Sequence, residues 1–175
     1  MSQSVYILCG MPGSGKSTFC KNHLPNCKVV SRDLVRVELG YTPSVDAKYV
    51  GTRYQEQQVT IRENELIKEY LEAGYDIVLD NMNGGPYLKG NIEYIKSIAP
   101  EAKIFGCNIV TPLEKCIERR NGQISEEIMR NIHSKFHYIE KDNELLIIDK
   151  HAAHERINFE ILRAGLEKVE PEATE

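Results

Sequence analysis

The sequence predicts an α/β fold in which a parallel sheet is covered by helices on both faces. Two observations predict it: short apolar runs alternate with longer amphipathic stretches, and the first run leads directly into a glycine-rich segment. Alternation of this kind is typical of right-handed crossovers between parallel strands. The chain has 175 residues, the size of one domain with a substantial core.

Five apolar runs are predicted to be the strands of this sheet. Each is bounded by polar or turn-forming residues, as buried strands commonly are. The predicted strands are Val5–Cys9, Lys28–Ser31, Asp76–Asp80, Lys103–Val110 and Leu145–Ile148.

The intervals between the strands are predicted helices. The longest is Gly51–Ala73, whose apolar residues recur mostly at helical spacing and which stops at a glycine. Another helix is predicted to begin at Ser125, because serine followed by two glutamates favours a helix start. The segment His151–Leu166 is predicted to be the last helix. The domain is thus expected to span residues 1–166, with an acidic mobile tail at 167–175.

The composition is that of a globular protein, with 41% hydrophobic residues, 27% charged residues and a formal net charge of −4. No apolar run approaches the roughly 20 residues that span a bilayer, and the first apolar stretch does not resemble a signal peptide. We therefore expect a cytoplasmic protein with no membrane partner.

The five cysteines are scattered and are expected to be reduced thiols. The net acidity disfavours indiscriminate nucleic-acid binding but leaves a local basic groove open.

The stretch GMPGSGKS, from Gly10 to Ser17, matches a complete phosphate-binding loop. It follows a predicted strand and precedes a predicted helix, as that mechanism requires. Its glycines let the backbone amides point at phosphate oxygens, and the helix N-terminus adds partial positive charge. ATP or GTP binding is therefore predicted at Gly10, Gly13, Ser14, Gly15, Lys16, Ser17 and Thr18.

Three residues around this loop are predicted to act on the phosphates or on Mg²⁺. Lys16 is expected to reach the β and γ phosphates, and the Ser17 hydroxyl to bind the metal. Asp80 ends the third predicted strand, where its carboxylate would order the magnesium shell or groups of the acceptor. The sequence VLDNMN that contains Asp80 also suits a strand-ending turn, and the two roles are compatible.

The sequence SRDLVR, from Ser31 to Arg36, places an acid and two arginines directly after the second strand. Ligands of parallel sheets bind at this end of the strands. Asp33 is predicted to accept the proton of an attacking hydroxyl, and Arg36, one turn later, to hold an anionic group of the acceptor. The alternative is a helix N-cap at Asp33 with a surface ion pair to Arg36.

Tyrosines and basic residues alternate near the start of the long helix, in the order Tyr41, Lys48, Tyr49, Arg53 and Tyr54. Such a pattern is typical of surfaces that stack bases and hold phosphates, so Arg53 is predicted to contact the acceptor. Packing in an amphipathic core is an equally good interpretation.

The stretch ERRNGQISEE, from Glu118 to Glu127, carries Arg119 and Arg120 on a link between two helices. Both arginines are predicted to contact the nucleotide from a short lid, with Arg120 neutralising charge that develops during transfer. The alternative is a solvated basic turn.

In this order and at these separations, the motifs resemble the 5'-kinase domain of bacteriophage-type polynucleotide kinase, a member of the P-loop kinase superfamily. The resemblance covers roughly residues 4–139. It implies a P-loop kinase fold with a short arginine-bearing lid, and transfer of the ATP γ-phosphate to the 5'-hydroxyl of DNA or RNA ends. Lys16, Asp33, Arg36 and Asp80 match the family's loop lysine, general base, neighbouring arginine and strand-end acid.

The resemblance is weaker in the lid, because this link is shorter than the family's and its arginines are adjacent. The family's phosphatase domain has no counterpart in the predicted domain, so we expect kinase activity alone.

The sequence also leaves open a small-molecule kinase that acts on a nucleoside, sugar or antibiotic hydroxyl, since fold does not fix function. A nucleotide-dependent switch is disfavoured, because a switch needs no acceptor base. His133 and His137 are assigned no metal, since a third ligand is lacking.

Overall fold

The computed structural model describes residues 2–44, 49–83, 86–140 and 146–151. Within these ranges the chain forms a parallel sheet of five strands. The elements in chain order are β1 Ser4–Cys9, α1 Lys16–His23, β2 Lys28–Val30, α2 Arg32–Glu38, α3 Arg53–Glu72, β3 Ile77–Leu79, α4 Pro86–Ile98, β4 Lys103–Val110, α5 Leu113–Arg119, α6 Glu126–Lys135 and β5 Leu146–His151.

The strand order in the sheet is β2-β3-β1-β4-β5, and all neighbours are parallel. The central strand β1 pairs Val5 with Ile77 of β3 and with Ile104 of β4. Because the strands are parallel, their carboxyl ends share one edge of the sheet. The segments that follow β1, β2 and β3 therefore lie at the same edge, and these carry the predicted site.

Helices cover both faces of the sheet, because successive strand residues point to opposite sides. On one face, α3 and α4 pack on the strands through a core that includes Val5, Ile7, Ile67, Leu71, Ile77, Leu79 and Ile95. On the other face, α1 packs on the strands through a core that includes Leu8, Phe19, Cys20, Leu24, Val78 and Cys107.

The long helix α3 agrees closely with its predicted range. It begins with a capping box, in which the Thr52 hydroxyl accepts the Gln55 N–H at 3.2 Å and the Gln55 side chain accepts the Thr52 N–H at 3.4 Å. Among the described helices, none combines the length and apolar composition needed to cross a bilayer.

Helix α6 begins as predicted, since the Ser125 hydroxyl accepts the Ile128 N–H at 3.3 Å. It ends at Lys135, so His137 lies beyond the helix. His133 and His137 therefore do not share a helical face.

The predicted last helix is wrong at its first residue, because His151 is the final residue of β5 and pairs with Val110. Strand β4 extends to Val110, and its last residues pair with residues 149–151. Strand β5 therefore continues for three residues after its apolar run has ended. Leu145 and the rest of the predicted helix and tail, 152–175, lie outside the described residues.

All five cysteines are free thiols, and all but Cys27 are buried. Burial raises the pKa of the Cys9 thiol to about 11 and that of Cys20 to about 12. These thiols are therefore protonated near neutral pH and serve as small core side chains.

Candidate active site

The phosphate loop joins β1 to α1 and needs glycine at two positions. Gly13 and Gly15 have φ angles of 78° and 101°, in the left-handed region that favours glycine. A Cβ on Gly13 would also lie 2.9 Å from the Cys116 carbonyl oxygen and 3.1 Å from Cγ of Arg120. The loop is thus curled and packed closely against α5.

The Lys16 ammonium lies inside this loop, where its Nζ donates to the carbonyl oxygens of Gly10 and Met11, both at 2.9 Å. Desolvation lowers the pKa of Lys16 to about 8, and Arg120 adds to this effect while Asp80 opposes it. A phosphate anion would supply the negative charge that the ammonium lacks here.

Ser17 and Asp80 are brought together as the sequence predicted, since Ser17 Oγ donates to Asp80 Oδ2 at 2.8 Å. The Asp80 N–H donates to the Val30 carbonyl at 2.9 Å, which fixes the acid at the strand edge. No group of three or more metal-ligating side chains occurs among the described residues. Two oxygen ligands fit Mg²⁺, because this ion usually keeps several waters and substrate phosphates in its shell.

Two buried polar atoms beside the loop, Ser14 Oγ and Arg120 Nε, lack hydrogen-bond partners among the described residues. Buried polar groups are normally paired, so atoms of this kind call for an explanation. Ser14 belongs to the loop that binds phosphates in this motif, and the Arg120 side chain lies against Gly13 of that loop. Together with the lowered pKa of Lys16, they fit a site that takes a polyphosphate.

Two polar side chains that follow neighbouring strands hold the end of β1 and the loop in place. Nδ2 of the buried Asn83, a residue with a φ of 51°, donates to the Leu8 carbonyl at 2.7 Å. Thr111, directly after β4, donates to the Ser14 carbonyl at 2.7 Å. Sequence reasoning missed Thr111, although a polar residue directly after a buried strand was an available signal.

The two lid arginines lie in different surroundings at the end of α5. The exposed Arg119 donates from Nη1 to the Gly13 carbonyl at 3.1 Å and so contacts the loop directly. Arg120 is partly buried, donates to the Gln123 side chain at 2.9 Å and contributes to the lowered pKa of Lys16. Both predicted arginines therefore lie close to the phosphate loop.

On the predicted acceptor side, Asp33 and Arg36 form an ion pair at 2.7 Å on α2. The N-cap residue of α2 is Ser31, so the alternative of an N-cap at Asp33 is wrong. Arg36 is only 7% exposed, which distinguishes the pair from an ordinary surface ion pair. Asp33 Oδ1 also accepts hydrogen bonds from the Ser44 N–H and hydroxyl, both at 2.8 Å.

Arg36 is held from α3 by Glu56, which accepts two parallel hydrogen bonds: Nε donates to Oε1 at 3.0 Å and Nη2 to Oε2 at 2.8 Å. Tyr49 donates its hydroxyl to Glu56 Oε1 at 2.8 Å, and Arg32 donates to Oε2 at 2.9 Å. The hydrogen bond from Arg36, followed by those from Arg32 and Tyr49, lowers the pKa of Glu56 to about 2.

A second carboxylate, Glu63, is 3% exposed and binds Arg32 Nη1 at 2.8 Å. Asn81 joins these residues, because its amide donates to Glu63 at 2.8 Å and accepts the Arg32 N–H at 2.8 Å. Asn81 follows Asp80 directly. The network therefore ties the predicted metal ligand to the helix that carries Asp33.

Sequence reasoning missed Glu56, Glu63 and Asn81. The signal for the two glutamates was their spacing of seven residues, which places them on the same face of α3 as Val59 and Ile67. Ile61 lies off this face and is 52% exposed. Charged residues within a buried helical stripe indicate a paired network.

The tyrosine-rich segment is divided between two environments. The Tyr49 ring lies 5.3 Å from the Arg36 guanidinium carbon and belongs to the Glu56 network. Arg53 and Tyr54 are exposed at the start of α3, while Lys48 lies outside the described residues. Tyr49 therefore contacts charged side chains of this network, while the acceptor contact of Arg53 stays a prediction.

The profile of a family described as an AAA domain matches residues 5–123. This range runs from β1 through both lid arginines and is more than half of the chain. The chain belongs to the AAA domain family.

Solved structures of kinases and of an RNA repair complex are similar to this chain. A chain of the Pnkp1/Rnl/Hen1 RNA repair complex matches at a TM-score of 0.62 and 20% identity, over 87% of this chain and 53% of that one. The Mycobacterium tuberculosis APS kinase matches at 0.58 and 15%, over 95% and 98%. Shikimate kinase from Acinetobacter baumannii matches at 0.53 and 18%, over 96% and 95%. At these identities the likeness shows the fold, and the predicted P-loop kinase fold is confirmed.

A separate similarity concerns the last part of the chain. Residues 130–173 match the profile of the MutL C terminal dimerisation domain. The DNA mismatch repair protein MutL of Clostridium botulinum is 42% identical over 48 residues, which are 27% of this chain and 7% of that protein. The chain thus spans about 7% of the length of these curated relatives. Within the matched segment, β5 pairs with β4 in the kinase sheet.

Proposed function

We propose that this protein is a polynucleotide 5'-hydroxyl kinase that transfers the γ-phosphate of ATP to the 5'-hydroxyl of DNA or RNA ends. The observation that carries the proposal is the Asp33–Arg36 pair, which pairs a carboxylate with an arginine at the sheet edge that holds the phosphate loop. A base next to an anion-binding group suits a hydroxyl that neighbours a phosphate, as at the end of a nucleic-acid strand. The fold likeness to a chain of an RNA repair complex supports the same choice.

On the donor side, the backbone of the loop and Lys16 would hold the β and γ phosphates of ATP. The predicted contacts are Gly10, Gly13, Ser14, Gly15, Lys16, Ser17, Thr18, Arg119 and Arg120. Ser17 and Asp80 would hold Mg²⁺, which when bound neutralises charge on the phosphates.

In the transfer step, the acceptor oxygen forms a bond to the γ-phosphorus, the bond to the bridging oxygen breaks, and ADP leaves. Asp33 takes the proton of the acceptor hydroxyl. Its Oδ1 is fixed by Arg36 and Ser44, whereas Oδ2 accepts a longer bond of 3.1 Å from the Ser44 hydroxyl. Oδ2 is therefore the oxygen better placed to receive the proton.

The arginines would divide the remaining charge between them. Arg36, and Arg53 at the exposed start of α3, would contact acceptor phosphates. Arg120, which already acts on the pKa of Lys16, would meet the charge that grows on the phosphoryl oxygens. Arg119 would contact the nucleotide beside Gly13.

A small-molecule kinase is the second candidate, and one observation favours it. The described acceptor residues Arg32 and Arg36 face three carboxylates, those of Asp33, Glu56 and Glu63. This cluster carries no surplus positive charge, so an uncharged hydroxyl compound would also be accommodated.

Labelled ATP offered with a panel of acceptors tests the proposal. The panel contains 5'-hydroxyl DNA and RNA oligonucleotides, nucleoside 3'-phosphates, nucleosides and sugars. The proposal expects the highest kcat/KM on oligonucleotides or nucleoside 3'-phosphates. A clear preference for a nucleoside or sugar would overturn it in favour of the small-molecule kinase.

A further inference from the structure

The Glu56 carboxylate is the centre of the acceptor-side network. It accepts hydrogen bonds from three side chains on two segments: Arg32 and Arg36 of α2, and Tyr49 before α3. Glu56 itself is in the first turn of α3. One carboxylate thus fixes the position of both arginines of the SRDLVR motif.

The contact between Glu56 and Arg36 fixes the plane of the guanidinium as well as its position. Two parallel hydrogen bonds from Nε and Nη2 hold the flat guanidinium edge-on to the carboxylate. The third nitrogen, Nη1, then lies 2.7 Å from Asp33 Oδ1. The orientation of Arg36 beside the proposed base is therefore set by Glu56 from the opposite edge of the guanidinium.

The donor count shows what this arrangement leaves for a ligand. A guanidinium has five N–H groups, and its bonds to described residues use one each on Nε, Nη1 and Nη2. In the part of the chain that the structure describes, this leaves at most two N–H groups for an anion, one on Nη1 and one on Nη2, and the Tyr49 side chain also contacts the guanidinium. Rotation of Arg36 out of this plane would move both of them.

We propose that Glu56 is a positioning residue that acts through Arg36 to select acceptors with an anionic group beside the reacting hydroxyl. This inference rests on the proposed function, because it takes Arg36 as the group that binds an acceptor phosphate. The strongly lowered pKa of Glu56 keeps the carboxylate ionised over the working pH range.

Kinetics of Glu56→Gln test the inference on two acceptors, a nucleoside 3'-phosphate and the matching nucleoside. The amide keeps the size of the side chain but replaces one acceptor oxygen with a donor, which breaks the parallel pair. KM for the phosphorylated acceptor should rise roughly tenfold, while KM for ATP and for the nucleoside change less than about twofold. Glu65→Gln, an exposed change on the same helix that touches Arg62, is the matched control and should leave all three values unchanged.

A double-mutant cycle separates positioning from general loosening of the fold. In the Arg36→Ala background, Glu56→Gln should have no further effect on the phosphorylated acceptor, because the residue through which it acts is gone. Additive losses, or equal losses on the two acceptors, would overturn the inference. If Glu56→Gln does not fold, Tyr49→Phe removes one hydrogen bond to Oε1 and should shift the same KM in the same direction by a smaller factor.

Wild-type kinetics distinguish failure of this inference from failure of the proposed function. A wild-type enzyme that prefers phosphorylated acceptors, combined with equal losses in Glu56→Gln, overturns the role of Glu56 alone. A wild-type enzyme that prefers uncharged acceptors overturns the proposed function, and the role of Glu56 with it.

Discussion

The proposed donor and acceptor sides of this site are built from different parts of the chain. On the donor side, Lys16 and Thr111 bind main-chain carbonyls of the phosphate loop. On the acceptor side, α2 and α3 are joined by ion pairs between side chains, centred on Glu56 and Glu63. The main-chain contacts require the curled backbone of the glycine-rich loop, whereas the side-chain pairs require particular charged residues at four positions of α2 and α3. Under the proposed function, we therefore expect substrate specificity to depend on the α2–α3 network.

The two sides also differ in charge. The Lys16 ammonium is disfavoured by desolvation, and its pKa falls to about 8. Arg32 and Arg36 instead already bind carboxylates, and hydrogen bonds keep Glu56 ionised. An anionic ligand would therefore stabilise the charged form of Lys16 on the donor side, whereas Arg32 and Arg36 already have carboxylate partners on the acceptor side. Each prediction below acts on one side.

The largest effect is expected on the donor side. Lys16→Ala should reduce kcat by on the order of a hundredfold or more, because it removes the charge between the β and γ phosphates. The thermal midpoint should stay near the wild-type value. Steady-state kinetics with Lys21→Ala, an exposed lysine of α1, as the control measure the loss. Near-normal turnover in a folded Lys16→Ala would remove the phosphate loop from the chemistry.

On the acceptor side, Arg36→Ala should be selective for the type of acceptor. We expect kcat/KM for a nucleoside 3'-phosphate to fall by some tens of fold and that for the nucleoside to fall much less, because a nucleoside offers Arg36 no anion. Competition between the two acceptors in one reaction measures the ratio directly. An unchanged ratio would mean that Arg36 only supports the fold.

ATP affinity should depend on pH through Lys16. Bound phosphates raise the pKa of this ammonium above its free value of about 8, so binding takes up a proton at higher pH. The affinity should be level below about pH 8 and weaken by up to about tenfold per pH unit above it. Calorimetric titrations between about pH 7 and pH 9.5 measure this. Lys16→Arg should lose the dependence, whereas a level wild-type profile would contradict the low pKa.

The smallest predicted difference lies between the two lid arginines. Arg120→Ala should lower kcat severalfold more than Arg119→Ala, because Arg120 acts electrostatically at Lys16 while Arg119 contacts a loop carbonyl. Single-turnover rates at saturating ATP and acceptor separate this effect from binding. A larger loss in Arg119→Ala would reverse the assignment.

Much of the fold could be predicted because strand and helix periods are local properties of the sequence. The phosphate loop, the Ser125 cap and the range of α3 each follow from neighbouring residues. The end of β5 could not, because pairing with Val110 extends the strand beyond its apolar run. Strand ends depend on the partner strand, which a local pattern does not contain.

In the candidate site too, residues within a local motif could be predicted from the sequence, whereas residues paired with distant partners could not. The sequence led to Lys16, Ser17 and Asp80, and the fold brings Ser17 and Asp80 within 2.8 Å. Glu56 and Glu63 were missed, because their partners Arg32 and Arg36 precede them by more than a helical turn and meet them only when α2 packs on α3.

The central claim is that a hydroxyl acceptor is deprotonated at Asp33 on the acceptor side, and Asp33→Asn tests it most directly. The amide retains the size of the side chain but has far less affinity for a proton. With Glu38→Gln on α2 as the control, kcat and KM for ATP are measured on the preferred acceptor. The account predicts a fall in kcat of roughly a hundredfold at an unchanged KM for ATP. A kcat within about twofold of wild type in a folded Asp33→Asn would contradict it.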